Sequence, residues 1–408
     1  MSETVFLTGA TGFLGSYVLD LYLRETDAKL LVLTRAKSRA EALEKLWKGL
    51  QMHMDAATFW ELEGRMEVVS GDISQPKLGM DDATYDRVAK SAEAILHIAA
   101  SLNRKSDKAC LNNNLKGTLS VIQLARAAQE HHGLRRFGEV STTAIAGKRW
   151  SETIAEDDAL DWNRSDYDPY ARTKKFCEHM VNELLPDVPH TVFRPATVMG
   201  DSRHPRTTQF DMVRAFNTVF DLPVFPIRPE ARVDIVNADW VGRAMFEIFH
   251  DDAKAKHSIY HLSSGVASPV AKDIAQAMSG AGRRPPVMVP QLLGATQTAF
   301  DLIAGLPQKN ALTFIGSLFK VFLPYITFDT VFENDRACEA IGQKPVSFLE
   351  YGPAFAEWCR EQKYEYPYVA LPEKPVRVNV SKEISARVTK PAVGVPRPRR
   401  SRALRDRA

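Results

Sequence analysis

The chain contains little cysteine, and the cysteines that it has are widely separated. Four occur among 408 residues, at Cys110, Cys177, Cys338 and Cys359, and no two are spaced as a metal-binding knuckle requires. The spacing argues against a zinc site and against a disulfide framework. It favours reduced thiols in a cytoplasmic protein that binds no metal.

A hydrophobic run long enough to cross a membrane is also lacking. The most apolar stretch, residues 312–326, contains Lys320 and Pro324 and is shorter than the roughly 20 residues of a membrane-spanning helix. It is interpreted as a buried helix, as the wall of an acyl-chain tunnel, or as a helix that brings residues 312–328 to a membrane interface. The first residues run straight into an apolar strand, so no signal peptide is expected.

Charge is distributed unevenly along the chain. Residues 373–408 contain eleven Lys or Arg residues against three acidic ones, although the whole chain has a net charge of only +3. This segment is rich in proline and has no core-forming pattern, so we expect a disordered basic tail. Such a tail either attracts anionic lipid, an acidic carrier protein or nucleic acid, or only adds solubility. The rest of the chain has no nucleic-acid-binding motif, so no specific nucleic-acid function is expected.

What the chain does have is a glycine-rich turn close to its start. Gly9, Gly12 and Gly15 follow a short apolar strand and lead into a segment with helical spacing. This arrangement is typical of a site for a dinucleotide pyrophosphate, because a helix N-terminus offers unpaired N–H groups and a partial positive charge. The predicted turn also includes Thr8, Thr11, Phe13 and Leu14.

Strands and helices alternate over about the first 200 residues, which predicts a doubly wound parallel α/β sheet, the Rossmann fold. Ligands of such sheets bind beyond the carboxyl ends of the strands. Arg35 follows the second strand, residues 29–34, and its charge suits the 2′-phosphate of NADPH better than the free hydroxyl of NADH. Lys37 or Arg39 is expected to assist it.

The ends of the next strands supply further candidates. Asp72, next to Ile73, either accepts a hydrogen bond from the adenine amino group or caps a turn. Ala99 and Ala100 form a floor of small residues on which the nicotinamide ribose can lie. His97 lies within an apolar strand and is interpreted as a core histidine whose hydrogen bonds are satisfied.

Two helical segments carry specific expectations. Residues 38–63 are predicted to be helical throughout, because their apolar residues fall on one stripe. Asn112, Asn113 and Asn114 are consecutive poor helix formers, so they predict side-chain hydrogen bonding at a helix start or kink.

A tyrosine and a lysine at helical spacing are the candidate catalytic pair. Asp168 and Pro169 predict the start of a helix, which places Tyr170 and Lys174 on one face. A phenol is a weak acid–base group at neutral pH, and a neighbouring ammonium is expected to lower its pKa. Lys174 is also expected to bind the ribose hydroxyls of the cofactor. Ser141 and Thr142, after the fifth strand, complete the predicted constellation.

These features together resemble an extended short-chain dehydrogenase/reductase, and within that family the thioester reductase and fatty acyl-CoA reductase branch. The Gly-x-x-Gly-x-x-Gly spacing at Gly9, Gly12 and Gly15 is that of the family. The resemblance covers about residues 4–265. Seven further segments carry it: residues 33–36, 69–73, 76–80, 97–103, 114–118, 194–200 and 233–241.

The resemblance implies roles for individual residues. Counting back from Gly147 as the family does selects Thr142 as the hydroxyl that works with the catalytic tyrosine, with Ser141 as the alternative. The family's catalytic asparagine corresponds to Asn114. Residues 194–200, including Pro195 and Val198, correspond to the segment that contacts the nicotinamide carboxamide.

The function implied is NADPH-dependent reduction of an acyl thioester, carried on coenzyme A or on an acyl carrier protein, to an aldehyde or onward to an alcohol. Residues 1–265 are expected to form the NADP-binding domain, with residues 195–245 partly in a substrate lobe, and residues 266–372 to form that lobe. The alternatives are a ketone or 3-hydroxysteroid dehydrogenase, an epimerase, and a nucleotide-sensing scaffold without catalysis.

Overall fold

The computed structural model describes residues 2–158, 160–279, 284–306 and 311–375, so residues 376–408 of the predicted basic tail lie outside the described residues. Residues Met1–Leu371 group into one compact unit. The strands are β1 (Thr4–Thr8), β2 (Lys29–Thr34), β3 (Met66–Ser70), β4 (Ala94–His97), β5 (Arg136–Val140), β6 (Thr153–Ile154), β7 (His190–Pro195), β8 (Thr197–Val198), β9 (Val224–Phe225), β10 (Ile235–Val236), β11 (Ile259–Leu262), β12 (Val287–Met288) and β13 (Val331–Phe332).

The helices alternate with these strands over the first half of the chain and dominate the second half. They are α1 (Phe13–Glu25), α2 (Arg39–Leu50), α3 (Ala56–Leu62), α4 (Asp82–Ser91), α5 (Asp107–Cys110), α6 (Lys116–His132), α7 (Pro169–Leu184), α8 (Asp211–Phe220), α9 (Ala238–His250), α10 (Ala271–Ser279), α11 (Leu293–Ala304), α12 (Ala311–Thr327), α13 (Asp335–Ile341) and α14 (Phe348–Glu361).

Seven parallel strands form the central sheet, in the order β11-β7-β5-β4-β1-β2-β3. Val5 of β1 pairs with Leu30 of β2 on one side and with Ala94 of β4 on the other. The predicted doubly wound parallel sheet is confirmed. The strand order reverses between β1 and β4, and ligands of such sheets bind in the crevice at that point.

Apolar layers cover both faces of the sheet. Val5 and Leu7 of β1 pack into one buried cluster with Val18 of α1, whereas Phe6 packs into a second cluster on the opposite face. Successive side chains of a strand point to opposite faces, so a strand covered on both sides must be apolar throughout. This requirement explains the continuous apolar run that precedes the glycine-rich turn.

A separate apolar core is built mainly by the later helices. It joins Phe216 of α8, Ile274 of α10, Phe319 of α12 and Phe355 of α14. The division into domains at residue 265 stays a prediction, as does the expected lobe over residues 266–372.

Two helical predictions meet different outcomes. Residues 38–63 are not one helix: α2 ends at Leu50 and α3 starts at Ala56, because Asp55 accepts a hydrogen bond from the Thr58 N–H at 2.8 Å and caps a new helix. The kink expected at the asparagines is a π-helical turn, Leu111–Leu115, between α5 and α6.

The predicted core histidine is confirmed. His97 is fully buried, with its Nδ1 atom 2.7 Å from Thr8 Oγ1 and its Nε2 atom 3.1 Å from Thr118 Oγ1. Burial lowers the pKa of His97 well below its ordinary value. The ring is therefore a neutral member of the sheet core.

All four cysteines are free thiols, as their spacing in the sequence predicted.

The apolar stretch of the sequence forms part of the buried core. The apolar stretch lies in α12, where Phe319, Leu323 and Ile326 are buried and Lys320 is exposed. Among the described residues, no helix combines the length and the apolar character needed to cross a membrane.

Candidate active site

A cleft of about 860 Å³ opens at the carboxyl ends of the central strands. Most of the predicted site residues line it, although they come from distant parts of the sequence. Those residues are Thr8, Gly9, Thr11, Gly12, Phe13, Leu14, Gly15, Arg35, Ile73, Ala99, Ala100, Ser141, Thr142, Tyr170, Pro195 and Val198. Asp72, Asn114 and Lys174 are not among the residues that line the cleft. Their side chains lie next to it and form hydrogen bonds with other groups.

The glycine-rich turn has room for backbone and little else. Gly9 has a φ angle of +78°, and a Cβ atom there would lie 2.6 Å from the backbone nitrogen of Ala99. A Cβ atom on Gly15 would lie 2.1 Å from the carbonyl oxygen of Gly9. Gly12 is the N-cap of α1, with no side-chain cap and no acidic residue in the first turn. The turn therefore fits a pyrophosphate, which the N-terminal N–H groups of α1 would bind.

Replacing Gly15 by alanine is expected to lower the free energy of unfolding by about 1–3 kcal/mol, because the added methyl group overlaps the Gly9 backbone. We expect the same change to weaken NADPH binding more than ~10-fold, since the turn must shift. Urea unfolding and a fluorescence titration with NADPH measure the two effects. Gly64→Ala is the matched control, because a Cβ atom at Gly64 meets nothing within 4 Å. NADPH affinity that is equal in both variants would contradict the assignment of the turn.

One unpaired cation marks the far end of the cleft. Arg35 is exposed and lines the cleft directly after β2, and its guanidinium forms no ion pair within the described part of the chain. The neighbouring Thr34 hydroxyl is buried without a hydrogen-bond partner there. Arg39, expected as a helper, is paired with Glu63 instead. A guanidinium without an anionic partner fits a phosphorylated ribose.

Asp72 forms a turn. Its Oδ1 atom accepts hydrogen bonds from the Ser74 N–H at 2.9 Å and from the Ser74 hydroxyl at 2.8 Å. Of the two interpretations left open by the sequence, turn capping is the one that these contacts support. Its neighbours Gly71 and Ile73 line the cleft.

Tyr170 occupies the position expected for it, at the start of α7. Asp168 caps this helix, because its Oδ1 atom accepts a hydrogen bond from the Ala171 N–H at 2.9 Å. The Tyr170 side chain is mostly buried and lines the cleft. Burial raises the pKa of Tyr170, and the charges of Lys174 and Arg104 act in the opposite direction. The expected net lowering of this pKa is therefore wrong: desolvation of the phenolate outweighs the two cations.

Lys174 lies beneath the cleft and is held by a buried carboxylate. Its Nζ atom donates hydrogen bonds to Glu139 Oε1 at 2.8 Å and to the Val140 carbonyl oxygen at 2.6 Å. Burial is the largest single influence and disfavours the ammonium, but Glu139, together with Cys177 and Tyr170, outweighs it, so the pKa of Lys174 is raised. The ammonium stays charged and is bound to Glu139, so contact with ribose hydroxyls stays a prediction. Sequence reasoning missed Glu139, although an acid inside an apolar strand is itself a signal.

The two neighbouring hydroxyls differ in what they can donate. Ser141 donates its hydrogen to the carboxylate of Glu178, which in turn accepts from Arg194 Nη2 at 2.7 Å. The Thr142 oxygen accepts a hydrogen bond from the Ala144 N–H at 3.3 Å, which leaves the hydroxyl hydrogen available. Both residues line the cleft. The geometry favours Thr142 over Ser141 as the donor to a substrate oxygen.

Asn114 connects two parts of the site. Its Oδ1 atom accepts a hydrogen bond from the Ser101 N–H at 2.7 Å, and its Nδ2 atom donates to the Ser101 carbonyl and to Thr173 Oγ1, both at 3.2 Å. The side chain is fully buried. It ties the loop after β4 to the helix that carries Tyr170, while Asn113 lines the cleft.

Two charged residues of the cleft, Arg104 and Lys105 of the loop after β4, were not found from the sequence. Phe322 and Tyr325 of α12 also line the cleft. They belong to the apolar stretch 312–326, for which the wall of an acyl-chain tunnel was one of the interpretations. The guanidinium of Arg104 lies 4.9 Å from the ring centre of Tyr170. Arg104 directly follows the segment 97–103 that resembles the reductase family, and this proximity was the available signal.

Comparison with known proteins places the chain among nucleotide-binding reductases. An NAD-binding family model described as "Male sterility protein" matches residues 7–245, more than half of the chain. The large subunit of L-2-aminoadipate reductase from Penicillium chrysogenum is 29% identical over 268 residues, which cover 58% of this chain and 18% of that protein. The aligned part amounts to between 5% and 25% of the length of three curated relatives that the chain matches.

Solved structures show the same fold. The terminal R domain from the myxalamid PKS-NRPS biosynthetic pathway has a TM-score of 0.73 and 24% identity, and the match covers 91% of this chain and 93% of that one. A thiolation-reductase di-domain from an archaeal non-ribosomal peptide synthetase has a TM-score of 0.66 and 15% identity, with coverage of 89% and 76%. At such identities the likeness concerns the fold alone.

Proposed function

Because the chain belongs to the family described as Male sterility protein, we propose that it reduces acyl thioesters to aldehydes with NADPH. It is an oxidoreductase of the extended short-chain dehydrogenase/reductase type. The observation that carries the proposal is the position of Tyr170 and Thr142, which line the same cleft as the glycine-rich turn. This position supports Tyr170 as a proton donor and Thr142 as a hydroxyl donor beside the proposed dinucleotide site.

The residues of the cleft suit each requirement of the reaction. When bound, the reduced nicotinamide supplies the hydride to the thioester carbonyl carbon. Thr142 donates a hydrogen bond to the oxygen on which negative charge develops, and Tyr170 gives that oxygen a proton. The carbon–sulfur bond then breaks, the thiol leaves with a proton, and an aldehyde remains. One NADPH and one proton are consumed for each thiol released.

The preference for NADPH over NADH rests on Arg35. Replacing Arg35 by serine is expected to raise KM for NADPH by roughly 10–100-fold, because a charge-assisted contact with a phosphate is lost. KM for NADH is expected to change little. Steady-state kinetics with each cofactor measure this ratio. The control is Arg126→Ser, which removes a partly exposed arginine paired with Asp187. If Arg35→Ser keeps the NADPH preference of the unsubstituted protein, another residue must recognise the phosphate.

The acyl group is proposed to arrive on a pantetheine thiol, which coenzyme A and acyl carrier proteins share. The name of the archaeal structure joins a thiolation domain to a reductase, which supports a carrier protein as donor. Leu102, Met212 and Phe322 line the cleft together with Tyr170, and this apolar lining supports a fatty acyl chain. Membrane contact through residues 312–328 and the tail stays a prediction. Phe319 and Leu323 of α12 are buried in the protein and are therefore not available for such a contact.

A mixed substrate panel tests the proposed function. The purified chain is incubated with NADPH and, separately, with acyl-CoAs of graded length, an acyl carrier protein loaded with the same acyl groups, and ketones. NADPH oxidation, free thiol and products by mass spectrometry are recorded together. One NADPH per thiol indicates an aldehyde, and two indicate an alcohol. Turnover of ketones alone would contradict the proposal and favour the ketone dehydrogenase alternative.

A further inference from the structure

Arg104 lies in the cleft against the catalytic tyrosine, in a cage of aromatic rings. Its guanidinium carbon is 4.9 Å from the ring centre of Tyr170, 5.3 Å from that of Tyr325 and 5.5 Å from that of Phe322. Only 16% of the side chain is exposed. A guanidinium over an aromatic face is attracted by the ring quadrupole, and more strongly where water is excluded.

The same guanidinium is tied to the cap of the catalytic helix. Arg104 Nε lies 3.5 Å from Asp168 Oδ2, and the Tyr325 hydroxyl donates a hydrogen bond to that oxygen at 2.8 Å. The other oxygen of Asp168 caps α7. Asp168 therefore links three elements: the loop after β4, helix α12, and the first turn of the helix that carries Tyr170.

Tyr170 thus lies between two cations that are held differently. Lys174 is held beneath the cleft by Glu139, whereas Arg104 reaches Tyr170 from the cleft side. We propose that Arg104 is a positioning residue for Tyr170, which acts on the ring through the cation–π contact and through its ion pair with Asp168. This inference rests on the proposed role of Tyr170 as proton donor, and it assigns to Arg104 a task that the sequence pattern assigns to Lys174 alone.

The charged groups that face Tyr170 determine the sign of the expected effect. Lys174 and Arg104 lower the pKa of the phenol, whereas Asp168 and Glu139 raise it, and burial is the largest influence. Loss of the Arg104 charge must therefore raise this pKa, and loss of the Asp168 charge must lower it. A reduction needs the protonated phenol, so activity falls as the pH rises through this pKa.

The test compares pH profiles of kcat for NADPH-dependent reduction by the full chain and its variants. Arg104→Met is expected to move the basic limb upward by about one pH unit and to lower kcat about tenfold or more, with KM for NADPH changed less than about threefold. Arg104→Lys, which keeps a cation, is expected to restore most of the profile. Asp168→Asn keeps a good N-cap and is expected to move the limb downward.

The opposite directions separate an electrostatic role from general damage to the fold. The proposal would be overturned if the activity of Arg104→Met fell at the same basic pH as that of the unsubstituted protein. It would also be overturned if the basic limbs of Arg104→Met and Asp168→Asn shifted equally. If Arg104→Met is inactive, the difference in tyrosinate absorbance between it and Arg104→Met/Tyr170→Phe reports the same pKa. Tyr170 would protonate a carbonyl oxygen in thioester reduction and in ketone reduction alike. If the protein reduces only ketones, the proposed function is refuted, but the role of Arg104 can still be tested.

Discussion

Replacement of Tyr170 by phenylalanine is expected to lower kcat by roughly 10²–10⁴-fold, the usual contribution of a positioned general acid. The phenol lines the cleft beside Thr142, and the substrate oxygen must gain a proton as hydride adds to the thioester carbonyl carbon. The ring itself is kept, so its packing against Arg104 and the fold should survive. Steady-state kinetics with an acyl thioester and NADPH measure the loss.

Binding of NADPH should separate this loss from a loss of the cofactor. We expect the dissociation constant of NADPH to change less than about threefold in Tyr170→Phe, because the proposed pyrophosphate site lies at the glycine-rich turn. Tyr22→Phe is the matched control: the Tyr22 hydroxyl is also buried, and it has no hydrogen-bond partner among the described residues. If Tyr170→Phe and Tyr22→Phe turn over at similar rates, Tyr170 is not the acid.

Replacement of Lys174 by methionine is expected to lower the free energy of unfolding by about 3–5 kcal/mol, because it leaves a buried carboxylate without its partner. Both side chains of the Lys174–Glu139 pair are buried, and their atoms are 2.8 Å apart. Urea unfolding at neutral pH measures the effect. Lys90→Met, which breaks an exposed pair with Asp86, is the control and should cost less than about 1 kcal/mol.

A second substitution and the pH both test the cause of this destabilisation. The double variant Lys174→Met/Glu139→Leu is expected to recover most of the lost stability, since a buried ion pair can be replaced by apolar side chains of similar volume. Burial raises the pKa of Glu139, so the unpaired carboxyl of Lys174→Met takes up a proton more readily in the folded state than when unfolded. The loss of unfolding free energy in Lys174→Met, relative to the unsubstituted protein, should then become smaller as the pH is lowered. A double variant no more stable than Lys174→Met would show that the lost charge pair is not the cause.

Local patterns were sufficient for the fold and for the cofactor end of the cleft. The apolar runs around Val5 and Leu31, the glycine spacing and the Asp168–Pro169 helix start each depend on near neighbours in sequence. Those neighbours determine backbone conformation and which face of a strand is buried. The parallel sheet follows from the alternation of strands and helices, and the carboxyl ends of its strands then form one crevice. Even so, the break between α2 and α3 was missed, because the apolar stripe concealed the cap at Asp55.

The sequence alone thus determined the sheet, the nucleotide turn and the Tyr170–Lys174 spacing on α7. Only the tertiary structure showed that Glu139 holds Lys174, that Ser141 is engaged by Glu178, and that Arg104 packs on Tyr170. These contacts join residues far apart in the chain, and their strength depends on the removal of water around the charges. A sequence records spacing along one chain, but burial and the partner of a charge exist only once the chain has folded.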